Sequence, residues 1–281
     1  MAIERRMLLG HGLAASFLLP SAMVPALARA AASRPGPLPL PPTPPERRLP
    51  PLVMLDPGHG GRDPGAIGVA GTYEKHIALL AAYDLKQRLE ASGRYQVTMT
   101  RWKDVFIPLE NRVELAQDRR AHLFVSMHAD AIYDHQIRGA SIYRLSATAS
   151  DAQAAAIAAS ENSADRFVTD PRFRKVTPAV ADILAGLVSQ ETEFGSARLQ
   201  KDLVYSLGQS VQLLTNPARH ANFVVLESAT IPSVLVEMGF MSNRADEAAL
   251  CTPAHRSVIA EAMERAVKAY FAADNAARMA G

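Results

Sequence analysis

Apolar and polar positions along the 281-residue chain follow two periods. Short apolar or alternating runs are typical of strands, whereas runs whose apolar residues recur every three to four positions are typical of helices. The first period predicts six strands, at residues 52–55, 95–100, 123–127, 140–145, 223–226 and 234–237. The second predicts helices at residues 73–92, 109–119 and 254–272. This alternation favours the α/β class, and we expect a single domain built on a twisted, mostly parallel sheet of about six strands flanked by helices.

Residues 150–208 depart from the alternation because helical spacing prevails throughout them. Asp151 is a suitable N-cap for a helix at 152–167, and Asp170-Pro171 would interrupt that helix. Two further helices are predicted near 180–190 and 197–207. One crossover helix could join the flanking strands, so the segment is far longer than the connection requires. We therefore expect an inserted helical segment at about 150–208.

Three residues that can bind a metal lie next to the ends of predicted elements. His59 stands in a glycine-rich loop after the first strand, Glu74 opens the next helix, and His128 ends a strand. The carboxyl ends of strands in an open α/β sheet form the edge at which sites assemble. Two histidines and one glutamate suit Zn²⁺ and leave a fourth position for water, which is typical of a catalytic site. Taken alone the three residues are weak evidence, since each could be a capping or core residue.

A fourth candidate, Glu237, ends an apolar strand and precedes a glycine turn. A carboxylate at that depth is costly unless it is paired, hydrogen-bonded or used. We interpret Glu237 as a general base, although a salt-bridged strand end would also fit. Asp56 and Asp130 could orient the histidines, as metal sites commonly require, or could simply form turns. We expect the remaining candidates to be surface or packing residues: His76, His122, His135 and His220.

Four blocks in order, LDPGHGG, YEK at 73–75, FVSMHAD and VLVEMGFMSN, resemble the zinc-dependent N-acetylmuramoyl-L-alanine amidases of bacterial cell-wall turnover. These form the amidase_3 family, and the resemblance is to its cell-separation subgroup. It implies Zn²⁺ as the cofactor, and peptidoglycan as the substrate, cleaved between N-acetylmuramic acid and L-alanine. The implied metal ligands are His59, Glu74 and His128, with Glu237 as the catalytic base. A zinc peptidase or carboxypeptidase would use the same residues, and a non-catalytic wall-binding protein would need one of them to be missing.

The resemblance also implies regulation. In the cell-separation amidases an inserted helix can place a glutamate on the zinc and close the site. Glu161, within Ser-Glu-Asn at 160–162, lines up with that glutamate. The implied enzyme is autoinhibited, acts in daughter-cell separation and is opened by a LytM-type activator protein. Without the resemblance Glu161 would be interpreted as a solvated helix residue. Asn222 departs from the family, in which a small residue usually precedes the phenylalanine.

The first thirty residues are typical of an export signal. Arg5-Arg6 precede an apolar stretch at 7–19, and Ala28 and Ala30 suit a cleavage site after residue 30. The arginine pair resembles a twin-arginine signal, with Sec export as the alternative, and either route predicts a periplasmic enzyme. An uncleaved anchor is the remaining alternative. Nine prolines between residues 35 and 51 predict an extended linker at 31–51, so that the catalytic domain covers 52–275.

The composition of the chain argues against nucleic-acid binding, an internal disulfide bond and a membrane span. The formal net charge is +2, and the chain has no arginine-rich run of the kind that nucleic-acid binding needs. The one cysteine, Cys251, cannot form an internal disulfide, so the fold must depend on packing and metal. The apolar stretch of the signal is far shorter than a membrane span needs, and no other long apolar run follows. We expect the mature chain to be a monomer without a membrane span.

Overall fold

Six strands form the centre of the computed structural model, which describes residues 49–167 and 190–280, with side chains up to 273. They are β1 (Leu52–Pro57), β2 (Gln96–Met99), β3 (Leu123–His128), β4 (Ala140–Leu145), β5 (Leu213–Ala221) and β6 (Ser233–Glu237). Their order across the sheet is β2-β1-β3-β6-β4-β5. The pairs are parallel except β4 with β6, which is antiparallel. The predicted α/β fold with a mostly parallel six-stranded sheet is confirmed.

Six α-helices occur in the described part of the chain. They are α1 (Glu74–Ala91), α2 (Leu109–Asp118), α3 (Ala152–Asn162), α4 (Gln190–Gly208), α5 (Arg244–Leu250) and α6 (Pro253–Ala280). Helices α1, α4 and α6 cover one face of the sheet through buried side chains such as Leu85, Leu203 and Met263. Helices α2 and α3 contribute to a second cluster that contains Leu109, Ile157 and Phe124. Both faces of the sheet are therefore covered, as a mostly parallel sheet requires.

The register of the central strands brings the candidate residues to one edge. Pro57 pairs with Met127 across β1 and β3, and His128 pairs with Glu237 across β3 and β6. The carboxyl ends of three neighbouring strands therefore lie side by side. Because side chains alternate across a strand, only this register places the ends of β1, β3 and β6 around one point.

One predicted strand is wrong. Residues 224–226 form a short 3-10 helix, and the strand lies earlier, at β5. Asn216-Pro217 within β5 gives the sequence the pattern of a turn. The structure tolerates this proline because β5 lies at the edge of the sheet and, among the described strands, pairs only with β4; the register also shifts between Ala140 and Ile142. The short helix is held by Asn162, whose side-chain oxygen accepts from the Val224 backbone nitrogen at 3.0 Å.

Several predicted helix limits and core positions also differ. The predicted break near 190–197 does not occur, since α4 runs unbroken from Gln190; its Gly195 lies against Pro232, where a β-carbon would come within 2.7 Å. Residues 163–167 tighten into a 3-10 turn after α3. The last helix continues to Ala280 instead of residue 272. Leu80 and Val258, although they share the apolar helical spacing of their helices, are exposed.

Other predictions lie outside the described residues. These are the export signal at 1–30, most of the linker at 31–51, the Asp170-Pro171 break and the helix at 180–189. Within the segment predicted as an insertion, α4 connects the neighbouring parallel strands β4 and β5 and buries Leu199, Leu203 and Leu207. Among the described helices, none is both long and apolar enough to cross a membrane.

Candidate metal centre and active site

The loop after β1 carries His59 in a strained backbone conformation. Its φ is 60°, in the left-handed region that residues other than glycine rarely adopt. The neighbouring Gly58 lets the loop approach β3, since a β-carbon there would come within 2.2 Å of the His128 ring. The two imidazole rings consequently meet edge to face with their centroids 4.9 Å apart.

Glu74 lies between the two histidines. Its Oε2 is 3.1 Å from His59 Nε2, and its Oε1 is 3.1 Å from His128 Nδ1. The carboxylate is fully buried, and the backbone nitrogens of Ala66 and Ala129 donate to it at 2.8 and 2.7 Å. The backbone donors hold the carboxylate in place, so that it presents one oxygen to each imidazole.

Glu161 completes this group from the inserted helix α3. Its Oε2 is 3.0 Å from His128 Nδ1 and 3.5 Å from His59 Nε2. Burial opposes the charge of Glu161, but the two histidines lower its pKa to about 2. Burial likewise opposes the charge of His128, but Glu161 and then Glu74 raise its pKa to about 10. Both shifts have the same cause, the attraction between the buried Glu161 carboxylate and the imidazoles beside it.

The donor atoms fit a metal ion. One atom from each of His59, Glu74, His128 and Glu161 lies within 4.8 Å of the others. Ligands of a tetrahedral zinc site stand about 3.3 Å apart when the bonds are near 2.0 Å, and the measured contacts of 3.0 to 3.5 Å fall around that value. Among the described residues, His59 Nε2 and Glu161 Oε1 are buried and have no hydrogen-bond partner, as expected of atoms that bind another ligand.

Glu237 stands beside this group at the end of β6. It is fully buried, and its Oε2 accepts from the Asp130 backbone nitrogen at 2.9 Å. Its Oε1 has no hydrogen-bond partner in the part of the chain that the structure describes. Asp130, Glu161 and Glu237 form a second set with oxygens within 4.8 Å of one another. Burial and then the nearby carboxylates of Asp130, Glu74 and Glu161 raise the pKa of Glu237 well above its usual range, against the effect of His128. A carboxyl whose pKa is raised holds a proton more readily than an exposed glutamate does, as a general acid–base group must.

The sequence interpretation missed Asp63. Its Oδ2 lies 2.8 Å from His59 Nδ1, and its Oδ1 accepts from the Gly65 backbone nitrogen at 3.1 Å. This contact fixes the ring so that Nε2 faces Glu74, which is the usual function of a carboxylate behind a metal-binding histidine. The only signal in the sequence is an aspartate four residues after His59, and loops commonly contain such aspartates as turn formers.

Neither aspartate proposed to orient a histidine does so. Asp56 accepts from Thr100, Ser126 and Arg112 at 2.6, 2.7 and 2.8 Å. Asp130 Oδ1 accepts from the next backbone nitrogen, that of Ala131, at 2.6 Å. The four other histidines named above lie outside the group of metal-binding atoms; His122, for example, accepts from the Leu52 backbone nitrogen at 3.1 Å.

Two buried arginines hold the His59 loop through its carbonyl oxygens. Arg112 donates to the carbonyls of Pro57 and His59 at 2.9 and 2.7 Å, and Arg101 donates to those of Pro57 and Gly58 at 2.9 and 2.7 Å. Burial and then Arg112 lower the pKa of Arg101 to about 10. Burial alone would raise the pKa of Asp56, but Arg112, Thr100 and Ser126 together lower it. These contacts stabilise the strained loop.

Substitution Arg112→Lys should lower the free energy of unfolding by roughly 1.5–3 kcal/mol, because lysine keeps the charge beside Asp56 but loses the planar set of donors to the loop carbonyls. The urea midpoint at unchanged m-value measures this loss. The matched control is Arg119→Lys, at an exposed position that caps the same helix, with an expected change within about 0.5 kcal/mol. Equal shifts for the two variants would contradict the structural function of Arg112.

Comparison with known proteins gives a consistent result. Residues 53–269 match the model of the Amidase_3 family, described as N-acetylmuramoyl-L-alanine amidase. The chain is 40% identical over 230 residues to N-acetylmuramoyl-L-alanine amidase AmiC of Escherichia coli O6:H1, covering 80% of this chain and 54% of that protein. It is 39% identical over 221 residues to AmiA of Salmonella typhimurium, covering 78% of this chain and 76% of that protein.

A solved structure shares the fold. N-acetylmuramoyl-L-alanine amidase AmiC2 of Nostoc punctiforme aligns with a TM-score of 0.55 and 27% identity, over 79% of this chain and 97% of that one. The chain spans about half the length of two of the curated relatives that it matches, at 54% and 53%. The matched region includes β1, β3, β6 and helix α3, and therefore contains all the candidate site residues.

Proposed function

Because the chain belongs to the amidase_3 family of N-acetylmuramoyl-L-alanine amidases, we propose that it hydrolyses peptidoglycan at the amide bond between N-acetylmuramic acid and the L-alanine of the stem peptide. The observation that carries this proposal is the convergence of His59, Glu74 and His128 with the buried carboxyl of Glu237. The predicted export signal would deliver the enzyme to the periplasm, where this substrate lies.

In this proposal His59, Glu74 and His128 hold Zn²⁺, and Asp63 orients His59 from behind. Zinc, when bound, supplies Lewis acidity that lowers the pKa of water and polarises a carbonyl group. Glu237 accepts the proton of the attacking water and then passes it to the departing L-alanine amine. The Asp130 backbone nitrogen anchors one oxygen of Glu237, which leaves the unpartnered oxygen for the proton.

We further propose that α3 holds the enzyme in a resting state. Glu161 occupies the side of the site that water and substrate would need. Contacts at both ends fasten the helix: Asp151 accepts from Arg219 at 3.0 Å, and Asn162 donates to the Asn222 carbonyl at 2.7 Å. A partner that binds the displaced helix more tightly than the docked helix would open the site, and the resemblance suggests a LytM-type activator. Daughter-cell separation is the proposed cellular process.

The deciding experiment is mass analysis of products from purified sacculi, with and without a metal chelator. We expect intact stem peptides to be released from the glycan, and their release to stop on chelation and to return with added Zn²⁺. A zinc peptidase would instead release fragments of the stem peptide, while a non-catalytic wall-binding protein would release neither product. Stem-peptide release that is insensitive to chelation would refute the zinc mechanism.

A further inference from the structure

A row of apolar and aromatic side chains, exposed except for the half-buried Tyr83, runs along the outer face of α1. Ile67 is bridged to Tyr73, and the Tyr73 ring meets the His76 ring at 5.7 Å. His76, Leu80 and Tyr83 follow at spacings of four and three residues, which places them on one helix face. The Tyr83 ring then meets the Trp102 ring at 6.3 Å. We name this row, Ile67, Tyr73, His76, Leu80, Tyr83 and Trp102, the α1 ledge.

The ledge brings together more exposed apolar side chains than an isolated surface residue would provide. Four of the ten large apolar side chains exposed in the described part of the chain belong to it: Ile67 at 57%, Leu80 and Trp102 at 46%, and Tyr73 at 41%. Scattered exposed apolar residues need no explanation, but a contiguous set indicates a binding surface. The ledge is also held in shape, because the Tyr83 hydroxyl donates to the Trp102 carbonyl at 2.5 Å.

From the position and shape of the ledge, we infer that it binds the glycan strand of the wall polymer. This inference rests on the proposed function. Tyr73 immediately precedes Glu74 in the chain, so the ledge begins one residue from a candidate metal ligand and extends about 15 Å along the helix from Tyr73 to Tyr83. A strand held there would present its stem peptide near the site. Half-exposed aromatic rings suit sugars because they combine an apolar face with a polar edge.

The charges beside the ledge favour an uncharged polymer. Lys75 lies 2.7 Å from Asp104, and Lys86 pairs with Glu90, so these two lysines beside the rings are each paired with a carboxylate. The same lysines stand over the Tyr73 and Trp102 rings, at 5.8 and 5.4 Å from the ring centres. The ledge is one side chain wide, which is much narrower than the surface that a stable protein–protein interface buries. A linear chain of sugar rings fits this shape better than a protein partner.

Trp102 is the sole tryptophan of the chain, so its fluorescence reports directly on the ledge. The full-length protein, loaded with Zn²⁺, is titrated with the tetramer of N-acetylglucosamine, which resembles the glycan but carries no stem peptide. We expect a saturable change in emission with the tetramer and none with a free stem peptide. The variant Leu80→Ser keeps the reporter and should weaken tetramer binding about 3-fold, because it removes apolar contact area. The matched control is Tyr205→Ser, at a 71% exposed position on α4, which should bind the tetramer as wild type does.

A second measurement uses the natural polymer. In a Glu237→Gln background, which should leave the wall undigested, Trp102→Ala should lower the affinity for purified sacculi about 5-fold relative to the same background alone. Unchanged emission with the tetramer together with unchanged sacculus binding would overturn the inference. A change of molecular mass on Trp102→Ala in sedimentation velocity, without a response to the tetramer, would instead identify a self-association face and also overturn it. The tetramer contains no amide bond to a stem peptide, so its binding tests the ledge independently of whether the amidase proposal holds.

Discussion

Substitution Glu237→Gln should abolish turnover of sacculi while leaving the fold and the zinc content intact. The amide has nearly the same shape, and its carbonyl oxygen can still accept the hydrogen bond from the Asp130 backbone nitrogen. It cannot take a proton from water, and loss of a general base typically costs about 10²- to 10⁴-fold in rate. The measurements are the rate of stem-peptide release and the zinc content of the purified protein.

The matched variant is His128→Ala, which should lose both activity and metal. His128 contributes a donor atom to the group formed with His59, Glu74 and Glu161. Glu237 is not a member of that group and belongs, with Asp130 and Glu161, to the second set of carboxylates. Both variants should therefore be inactive, but only His128→Ala should lose the metal. Near wild-type turnover by Glu237→Gln would show that another group takes the proton.

Substitution Glu161→Ala should raise basal hydrolysis of sacculi without an activator. The substitution removes the carboxylate whose Oε2 lies 3.5 Å from His59 Nε2 and 3.0 Å from His128 Nδ1. If the open form is the minor state, at roughly 0.1–10% of molecules, then releasing the helix raises the active fraction by about 10- to 1000-fold. The assay compares initial rates of stem-peptide release for proteins loaded with equal amounts of zinc.

Two further variants separate the carboxylate from the helix that carries it. Asn162→Ala leaves Glu161 in place but removes the contacts with Asn222 and Val224, so basal activity should rise by a smaller factor. Ser160→Ala, at an exposed position of α3, should leave it unchanged. Equal rates for Glu161→Ala and the wild-type enzyme would mean that Glu161 does not close the site and that α3 serves packing alone.

The pattern of apolar residues is sufficient to predict a strand or a helix where a single period runs through the whole element. The buried runs at β1, β3 and β6 and the helical spacing of α1 were predicted from the sequence and occur in the structure. Position relative to strand ends also placed His59, His128 and Glu237 at one edge, because parallel strands share a direction. β5 was missed because an internal proline has the local signature of a turn, and only its place at the edge of the sheet makes the strand possible.

Side-chain pairs that are distant or ambiguous in the sequence depend on tertiary structure. Asp56 and Asp63 both flank His59 in the chain, yet Asp56 pairs with Arg112, and Asp63 contacts the imidazole. The choice between them depends on which way each side chain points when the loop turns through its left-handed residue, and local sequence does not encode that direction. Tertiary structure also decides whether Glu161 is a solvated helix residue or part of the site. Helix α3 packs against the second core cluster, and this packing brings the Glu161 carboxylate to the histidines.

The class of fold, the strand ends that carry the candidate site residues and the family resemblance could all be predicted from the amino-acid sequence. These properties depend on periodicity and on the order of short motifs, which need no knowledge of distant contacts. Three features became apparent only in the folded chain: Asp63 supports His59, two arginines hold the His59 loop, and the Tyr73 ring packs against the His76 ring at the start of α1. Each of these features joins residues that are brought together when the sheet aligns its strands and the helices pack on its faces, and a contact of that kind leaves no periodic signal in the chain.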